Sequence, residues 1–589
     1  MKKACLASAL ALILCQLSPA QGPEMLPGWP YVTRMDNLLS FATPRFSMSA
    51  AIENAAVFFN TNLGDIDKFH FDGLNFPGWP MVIDTLKFRF SPVLADLDHD
   101  RLLEMITAGE GSWEGDILPF LIVAIDDNGS IMTGFPIAID WAMFLNVADF
   151  DDDGEYEIMT ASETDRLIYC FDRYGQLEPG WPVPLPADAY PHVSFAEPVG
   201  DLDGDGANEL ILNGLKNIYA FRFDGSQLPG FPISVWDTTF TFSNNFWPGC
   251  LVDLDNDGFL EIAVPGDNYY GGPPGYGDCF VAVYDHTGQI VDGWPLFFQG
   301  FVYGGIAPAD MNDDGIAELG FYAGFGSDGL RFVDINGELL PGWPILLIDH
   351  PGRPRGIDAD LILVDVNGDR LPEIFTDYNI LYPDSIGQDS SRYYGHSYLF
   401  GVDQSGEELP GFPIEVNGWY WRRPPSFAWD DQSRSLQMGL FTDIYTPSYD
   451  VDTGYLEIYR FPDTTGPLTE WPMVNHDNLN TRNYNFVDRV ISINDEGEEI
   501  LPKSPILKQN YPNPFNFSTI IEFTLPKRGH VTLSLFDILG RKVADIYNQV
   551  MDAGTHRHRL SMKDVSSGIY FYTLKTEKIQ ITRKMTLVK

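Results

Sequence analysis

The segment DLDGDGANE, Asp201–Glu209, runs directly into the apolar triplet Leu210-Ile211-Leu212. Carboxylates stand at positions 1, 3, 5 and 9 of this nonapeptide, and a glycine at position 6 permits the positive-φ turn that a tight loop needs. Working outward, the same pattern occurs six times: DLDHDRLLE (Asp96–Glu104), DFDDDGEYE (Asp149–Glu157), DLDGDGANE itself, DLDNDGFLE (Asp253–Glu261), DMNDDGIAE (Asp310–Glu318) and DVNGDRLPE (Asp365–Glu373). Successive copies start 53, 52, 52, 57 and 55 residues apart. Apolar residues flank each copy, so each acidic loop joins two strands.

A second element recurs between the loops: an apolar strand, a turn, a second short strand, and a Gly-aromatic-Pro corner. IYAFRFDGSQLPGFP ending at Pro232 and FVDINGELLPGWP ending at Pro344 are examples, and the corner aromatics run from Trp29 to Trp471. Steps such as Asp224-Gly225 and Asn336-Gly337 are hairpin-turn signals. Each unit is therefore expected to hold four short strands: one before the acidic loop, one after it, and the two arms of the hairpin. Four-stranded units of this length, repeated many times, predict an all-β fold and a β-propeller. The corner aromatics mark eight intervals. The reading is an eight-bladed propeller over residues 24–485, with seven blades if the first unit (31–80) and the last (421–471) combine. An aromatic at the same point of every unit is what packing between blades requires.

The loop D-x-[DN]-x-D-[GR]-x-x-E inside such a unit resembles the FG-GAP/VCBS repeat of integrin α-subunit propellers and many bacterial surface proteins. The closing WPMVNHDNLNTRNYN, Trp471–Asn485, is similar to the end of such bacterial propellers. Arg101 and Arg370 depart from the pattern, which has glycine there.

The chemistry of the loops follows from their side chains. Hard oxygen ligands, rich in carboxylate, suit Ca²⁺ far better than Zn²⁺. The expected ligands are Asp96, Asp98, Asp100 and Glu104; Asp149, Asp151, Asp153 and Glu157; Asp201, Asp203, Asp205 and Glu209; Asp253, Asp255, Asp257 and Glu261; Asp310, Asn312, Asp314 and Glu318; and Asp365, Asn367, Asp369 and Glu373. That is room for up to six structural Ca²⁺. Four carboxylates so close repel by about 1 kcal/mol or more per pair without a cation. Loops two, three and four look complete, and the loops with Arg101 and Arg370 should bind more weakly.

Composition agrees. The 589 residues carry 37 basic and 83 acidic side chains, a net charge of −46, which excludes nucleic acid and anionic membrane as partners. The 14% aromatic content excludes a disordered acidic chain. Met1-Lys2-Lys3, an apolar run to Leu17 and Ser18-Pro19-Ala20 read as a signal peptide over 1–20. No other run is apolar for the ~18 residues of a membrane span. Three cysteines remain beyond it; Cys250 and Cys279 stand in one unit, either as a pair or, with Cys170, as buried thiols.

Residues 486–506 are polar and read as a linker. Beyond it the balance reverses to a local net of +8, with 14 basic and 6 acidic residues from Lys503 to Lys589. Alternation in Val531–Leu535 and Ile569–Leu574 predicts a small β-sandwich over 507–589. Gln509–Asn516 (QNYPNPFN), Asp537–Val543 (DILGRKV), Ala553–His556 (AGTH), Ser567–Phe571 (SGIYF) and Lys584-Met585 closely resemble the C-terminal sorting domain of type IX (Por) secretion. That resemblance implies a partner in the type IX translocon and a place that is secreted or on the outer cell surface. His556 and His558 are expected at solvent-facing sheet positions.

No HExxH, GxSxG or phosphate-binding loop occurs, and no catalytic residues are assigned. The expectation is a non-catalytic, calcium-binding adhesion or binding module with an extracellular glycan or protein ligand. Two alternatives stand: a calcium-dependent polysaccharide lyase on the same scaffold, favoured by Arg353, Arg355, Arg392, Arg422 and Arg423, and a purely structural surface protein.

Overall fold

The computed structural model describes residues 23–588 with breaks, the longer ones at 36–44, 47–55, 190–195, 235–240, 243–248, 268–277, 346–352, 384–392, 417–424, 445–451, 462–468, 472–482, 484–505 and 508–517. The signal-peptide and linker readings, and the side chains of the five arginines named for a lyase, lie outside the described residues. Every regular element among the described residues is a β-strand, and the strands form ten antiparallel sheets. Eight of the sheets lie before residue 472 and two after residue 505.

The third sheet shows the common plan. Asn146–Ala148 pairs with Glu157–Ser162 across the acidic loop, and Glu157–Ser162 pairs with Leu167–Phe171. The fourth strand is not the return arm of the hairpin, where the sequence pattern places it. That arm makes a single bridge, Phe171 to Leu177. Only four residues, Gln176–Pro179, separate the turn from the corner, too few to lay down a ladder. The chain turns at Gly180-Trp181-Pro182 and then pairs Val183–Pro184 with Leu167–Phe171. The fourth sheet repeats this with Asn217–Phe221 and Ile233–Ser234.

The ends of the series also differ from the sequence reading. The first sheet holds Arg45–Phe46, Ala56–Asn60, Asp65–His70 and Met81–Val82. Tyr31–Met35, assigned to that unit from the repeat, belongs instead to the eighth sheet, where Val32 pairs with Tyr455. Glu24–Met25 joins the same strand, Asp452–Phe461. The N-terminal strands thus complete the last sheet, whose own strands are Ser426–Asp430, Ser435–Ile444 and Asp452–Phe461.

Alternating apolar residues on each strand give each sheet two faces to bury. Ile106, Ile122 and Ala124 of the second sheet share a core with Val147 and Ile158 of the third. Met159 and Cys170 of the third share one with Leu210 and Leu212 of the fourth, and Ile211 and Ile218 of the fourth with Ile262 and Val264 of the fifth. A larger core runs from Val281 through Phe332 and Phe375 to Phe461. The corner aromatics join one sheet to the next. The indole Nε1–H groups of Trp79, Trp181 and Trp294 donate to the carbonyls of Asp127, Phe223 and Ile335 in the following hairpin, at 2.9, 2.6 and 2.6 Å. Gly78 sits so close to that hairpin that a Cβ would lie 2.1 Å from Asn128 O, and its φ is +94°. Only glycine fits there. Cys170, Cys250 and Cys279 are all buried thiols, and no disulfide joins Cys250 to Cys279.

After the break, Ile506–Leu507, Ser518–Leu525 and Gly554–Ser561 form one sheet. Lys542–Met551, Gly529–Asp537, Gly568–Lys575 and Gln580–Leu587 form the other. Ile521 and Phe523 of the first meet Leu533, Tyr572 and Met585 of the second in one buried cluster, which is a small sandwich. His558 is half-buried, with Nδ1 3.1 Å from the Tyr547 hydroxyl, rather than solvent-facing. The His556 side chain lies outside the described residues.

Candidate metal centres

Each acidic loop begins where one strand of its sheet ends and stops where the next strand of that sheet starts. Two buried strands therefore fix both ends, and position 9 is the first residue of the returning strand. The Glu there is buried in every loop: Glu104, Glu157, Glu209, Glu261, Glu318 and Glu373. Its Oε2 accepts the backbone N–H of loop position 2, from Leu97, Phe150, Leu202, Leu254, Met311 and Val366 at 2.7 to 2.9 Å. One oxygen of each carboxylate is thus held and the other is turned inward.

The first aspartate braces the turn. Asp149, Asp201, Asp253 and Asp310 accept the N–H of the position-6 glycine at 3.0, 2.9, 2.9 and 2.7 Å. The position-5 aspartate accepts the N–H of position 7 in all six loops, at 2.8 to 2.9 Å. The backbone adds a feature that the sequence reading missed. Position 4 has positive φ in every loop: His99 at 62°, Asp152 at 61°, Gly204 at 74°, Asn256 at 55°, Asp313 at 57° and Gly368 at 81°. Gly, Asn, Asp and His are the residues that best tolerate this region, and that composition was the available signal.

Positions 1, 3 and 9 converge. Asp96, Asp98 and Glu104 place one carboxylate oxygen each within 4.8 Å of one another, as do Asp149, Asp151 and Glu157; Asp201, Asp203 and Glu209; and Asp253, Asp255 and Glu261. Asp100, Asp153, Asp205 and Asp257 are not in these groups of three; one oxygen of each is committed to the loop backbone. In the fifth and sixth loops the amide of Asn312 donates to Glu318 Oε1 at 2.7 Å, and that of Asn367 to Glu373 Oε1 at 2.5 Å. Asp310, Asp314, Asp365 and Asp369 complete those loops. Arg101 and Arg370 lie outside the described residues.

Burial and neighbouring charge raise these acids together. Glu104 and Glu157 are pushed up to about 9, and Glu209, Glu261 and Glu373 to about 8, chiefly because burial disfavours the anion and secondarily because aspartates crowd it. Glu318 reaches about 7 and Asp253 about 6 for the same reasons. Glu209 Oε1 and Asp151 Oδ1 are buried with no hydrogen-bond partner among the described residues. Converging carboxylates, inward oxygens without a donor and raised pKa values are what a hard divalent cation would relieve, so the donor set fits Ca²⁺.

Charged neighbours distinguish the loops. The hairpins carry Asp126, Asp172, Asp285, Asp334 and Asp403, each accepting N–H groups of its own turn. The fourth sheet has Arg222 at this place, and its guanidinium pairs with Asp203 of the third loop. Lys68 of the first sheet is buried over the Phe76 ring; burial lowers its pKa, and Asp127, Glu104 and Asp100 oppose that shift. Neighbouring loops also touch. Glu155 accepts from Arg173 Nε at 2.8 Å and lies 2.9 Å from His99 Nε2, and Asn208 Nδ2 donates to Asp149 O at 2.7 Å. These contacts join the first three loops to one another.

Residues 201–264 match the family described as an FG-GAP-like repeat, and residues 509–588 match the secretion system C-terminal sorting domain. The sorting domain marks the chain for export to the cell surface or secretion. No helix among the described residues is long and apolar enough to cross a membrane. Among curated proteins none matches the chain in sequence. Three solved structures are similar. The V. cholerae biofilm matrix protein Bap1 is 14% identical, with 81% of this chain and 93% of that chain covered and a TM-score of 0.46. The calcium-binding protein regucalcin of Agrobacterium tumefaciens is 11% identical, with 55% and 92% covered and a TM-score of 0.28. PorZ, a surface component of the type-IX secretion system of Porphyromonas gingivalis, is 11% identical, with 93% of each chain covered and a TM-score of 0.16.

Proposed function

We propose that the chain is a calcium-stabilised, eight-bladed β-propeller that acts as a non-catalytic binding or adhesion module outside the cell. In this reading the signal peptide carries it across the inner membrane and residues 507–589 engage the type IX translocon. The observation that carries the reading is the repeated cluster of three converging carboxylates, built by like sheets in series and followed by a sorting domain. Bound Ca²⁺ would supply the positive charge that lets the buried glutamates ionise. Asp at positions 1 and 3 and Glu at position 9 would hold it, while the aspartate at position 5 keeps the loop in shape. The eight sheets before residue 472 pack in sequence order, and the N-terminal strands complete the last, as closure of a ring requires. The acidic surface would then lie on one side of the disc, leaving the remaining loops for an extracellular glycan or protein.

Binding of the exported chain to a glycan array, with Ca²⁺ and with chelator, tests the proposal. Calcium-dependent retention on a defined glycan or protein supports it. Release of unsaturated products absorbing in the ultraviolet from an acidic polysaccharide would replace the non-catalytic reading with a lyase.

A further inference from the structure

Neighbouring acidic loops brace one another at a repeated point. The residue at position 2 orients the buried glutamate of its own loop through its N–H, and in the first two loops the next sheet of the series holds the carbonyl of that same residue. Leu97 N–H donates to Glu104 Oε2 at 2.7 Å, while Leu97 O accepts from a terminal guanidinium nitrogen of Arg173 at 2.7 Å. Phe150 N–H donates to Glu157 Oε2 at 2.8 Å, while Phe150 O accepts the N–H of Asn208 at 2.8 Å. Arg173 lies in the hairpin of the third sheet, and Asn208 is position 8 of the third loop.

Both residues grip twice. Arg173 Nε donates to the carboxylate of Glu155, position 7 of the second loop, at 2.8 Å, and its guanidinium lies over the Tyr174 ring, 4.7 Å from the centroid. Asn208 Nδ2 donates at 2.7 Å to Asp149 O, on the very peptide whose N–H holds Glu157. The first loop is thus tied to the second and the second to the third, each time at the residue that orients a ligand. At the end of this series Glu209 is buried, and its Oε1 has no hydrogen-bond partner among the described residues, an inward oxygen that a cation would satisfy. An empty loop holds its carboxylates together against their repulsion, and an ion removes that cost and fixes the loop. A fixed loop offers its neighbour a partner already in place, so the neighbour loses less conformational freedom when its own ion arrives. An ion also weakens the negative potential at the next loop, which opposes a second ion. Such surface fields are screened over about 8 Å at physiological salt, whereas the bridges are direct contacts.

We propose that Arg173 and Asn208 are positioning residues that couple the first three loops, so that Ca²⁺ fills Asp96–Glu104, Asp149–Glu157 and Asp201–Glu209 cooperatively. An ion in one of these loops should tighten binding in the next by about fivefold or more. The three loops then order together over a narrow range of free Ca²⁺. This rests on the calcium reading above.

Hydrogen exchange of the full chain across a Ca²⁺ titration at physiological salt tests this, because peptides covering 96–104, 149–157 and 201–209 report each loop separately. In the unsubstituted chain the three should gain protection together, with midpoints within about threefold of one another and a Hill slope of about 2. Arg173→Ala should bring the slope of the first loop down toward the non-cooperative value, and Asn208→Ala that of the third. Protection at saturating Ca²⁺ and the number of ions bound per chain, counted by equilibrium dialysis, should stay as they were. A variant that loses saturating protection but keeps its slope shows a merely structural residue and overturns the assignment. Non-cooperative slopes in the unsubstituted chain, or an unchanged slope with both substitutions together, overturn the coupling and leave the calcium sites standing. Protection that ignores Ca²⁺, with no ion bound, overturns the calcium reading itself. If a variant fails to fold, the slopes of the unsubstituted chain decide.

Discussion

Removing calcium from the full chain should lower its melting temperature, and the drop should grow as pH rises. A ligand that binds only the folded state at a hundredfold excess over Kd contributes about 2.7 kcal/mol per site. Four three-carboxylate clusters give a total on the order of 10 kcal/mol. At about 2 cal/mol/K of unfolding entropy per residue, the sheets before residue 472 should shift by roughly 10 °C. The pH dependence follows from the buried glutamates. In the metal-free fold their pKa values, about 8 to 9 for Glu104, Glu157, Glu209 and Glu261, lie above the ordinary 4.5. Metal-free stability from these groups is therefore full below about pH 4.5 and is lost as pH rises through 8 to 9. The ion must displace those protons, so affinity should rise about tenfold per pH unit between roughly 6 and 8, or about 1.4 kcal/mol per site per unit. Differential scanning fluorimetry at pH 6, 7.5 and 9, in EDTA and in millimolar Ca²⁺, measures both effects. A gap that is constant or narrows from pH 6 to 9 would refute the reasoning, and equal curves at every pH would remove the metal.

Three further outcomes are expected. Trp181→Phe, which deletes the indole bond to Phe223 O but keeps most of the buried ring, should cost about 1 kcal/mol by denaturant titration, while Trp181→Ala should cost about 3–5 kcal/mol. Arg222→Ala should tighten calcium binding at the third loop, because the guanidinium that competes for Asp203 is gone; calorimetry showing weaker or unchanged binding there would contradict this. A chain ending at residue 506 should accumulate in the periplasm, read by surface protease shaving, and normal display of that truncation would end the assignment of the tail.

Much of this was legible in the sequence, because the loops and corners are local. Asp201 to Glu209 span nine residues, and their spacing alone brings positions 1, 3 and 9 together. The Gly-Trp-Pro corner announced packing between units, although not that Trp181 hydrogen-bonds to the next hairpin. What escaped depends on distant partners. Nothing around Tyr31–Met35 shows that its partner is Asp452–Phe461, since a strand pattern carries no address. The fourth strand was misplaced because Leu177 and Val183 are equally good strand residues, and only the geometry of the corner selects the second. Arg222 breaks the hairpin pattern of Asp172 and Asp285, and that substitution was visible without its partner Asp203. Asn483 looked like part of a closing motif, and its burial against Val199 is a contact across 284 residues.

The pairing of Glu24 with Arg460 has a kinetic meaning. Their ion pair joins residues 436 apart in the chain, so it closes after nearly everything between them has been made. Loop-closure entropy for that separation is about 5 kcal/mol, and contacts of such long range form late. The opening strands Glu24–Met25 and Tyr31–Met35 must therefore stay unpaired until Asp452–Phe461 has been made. Until those strands dock, Asp452–Phe461 has no outer partner and presents a bare edge that invites aggregation. A chain broken off before residue 452 leaves Glu24–Met25 and Tyr31–Met35 without their partner strand. The seam thus works as a check on completeness: Glu24–Met25 and Tyr31–Met35 find their partner only in a product that extends through residue 461.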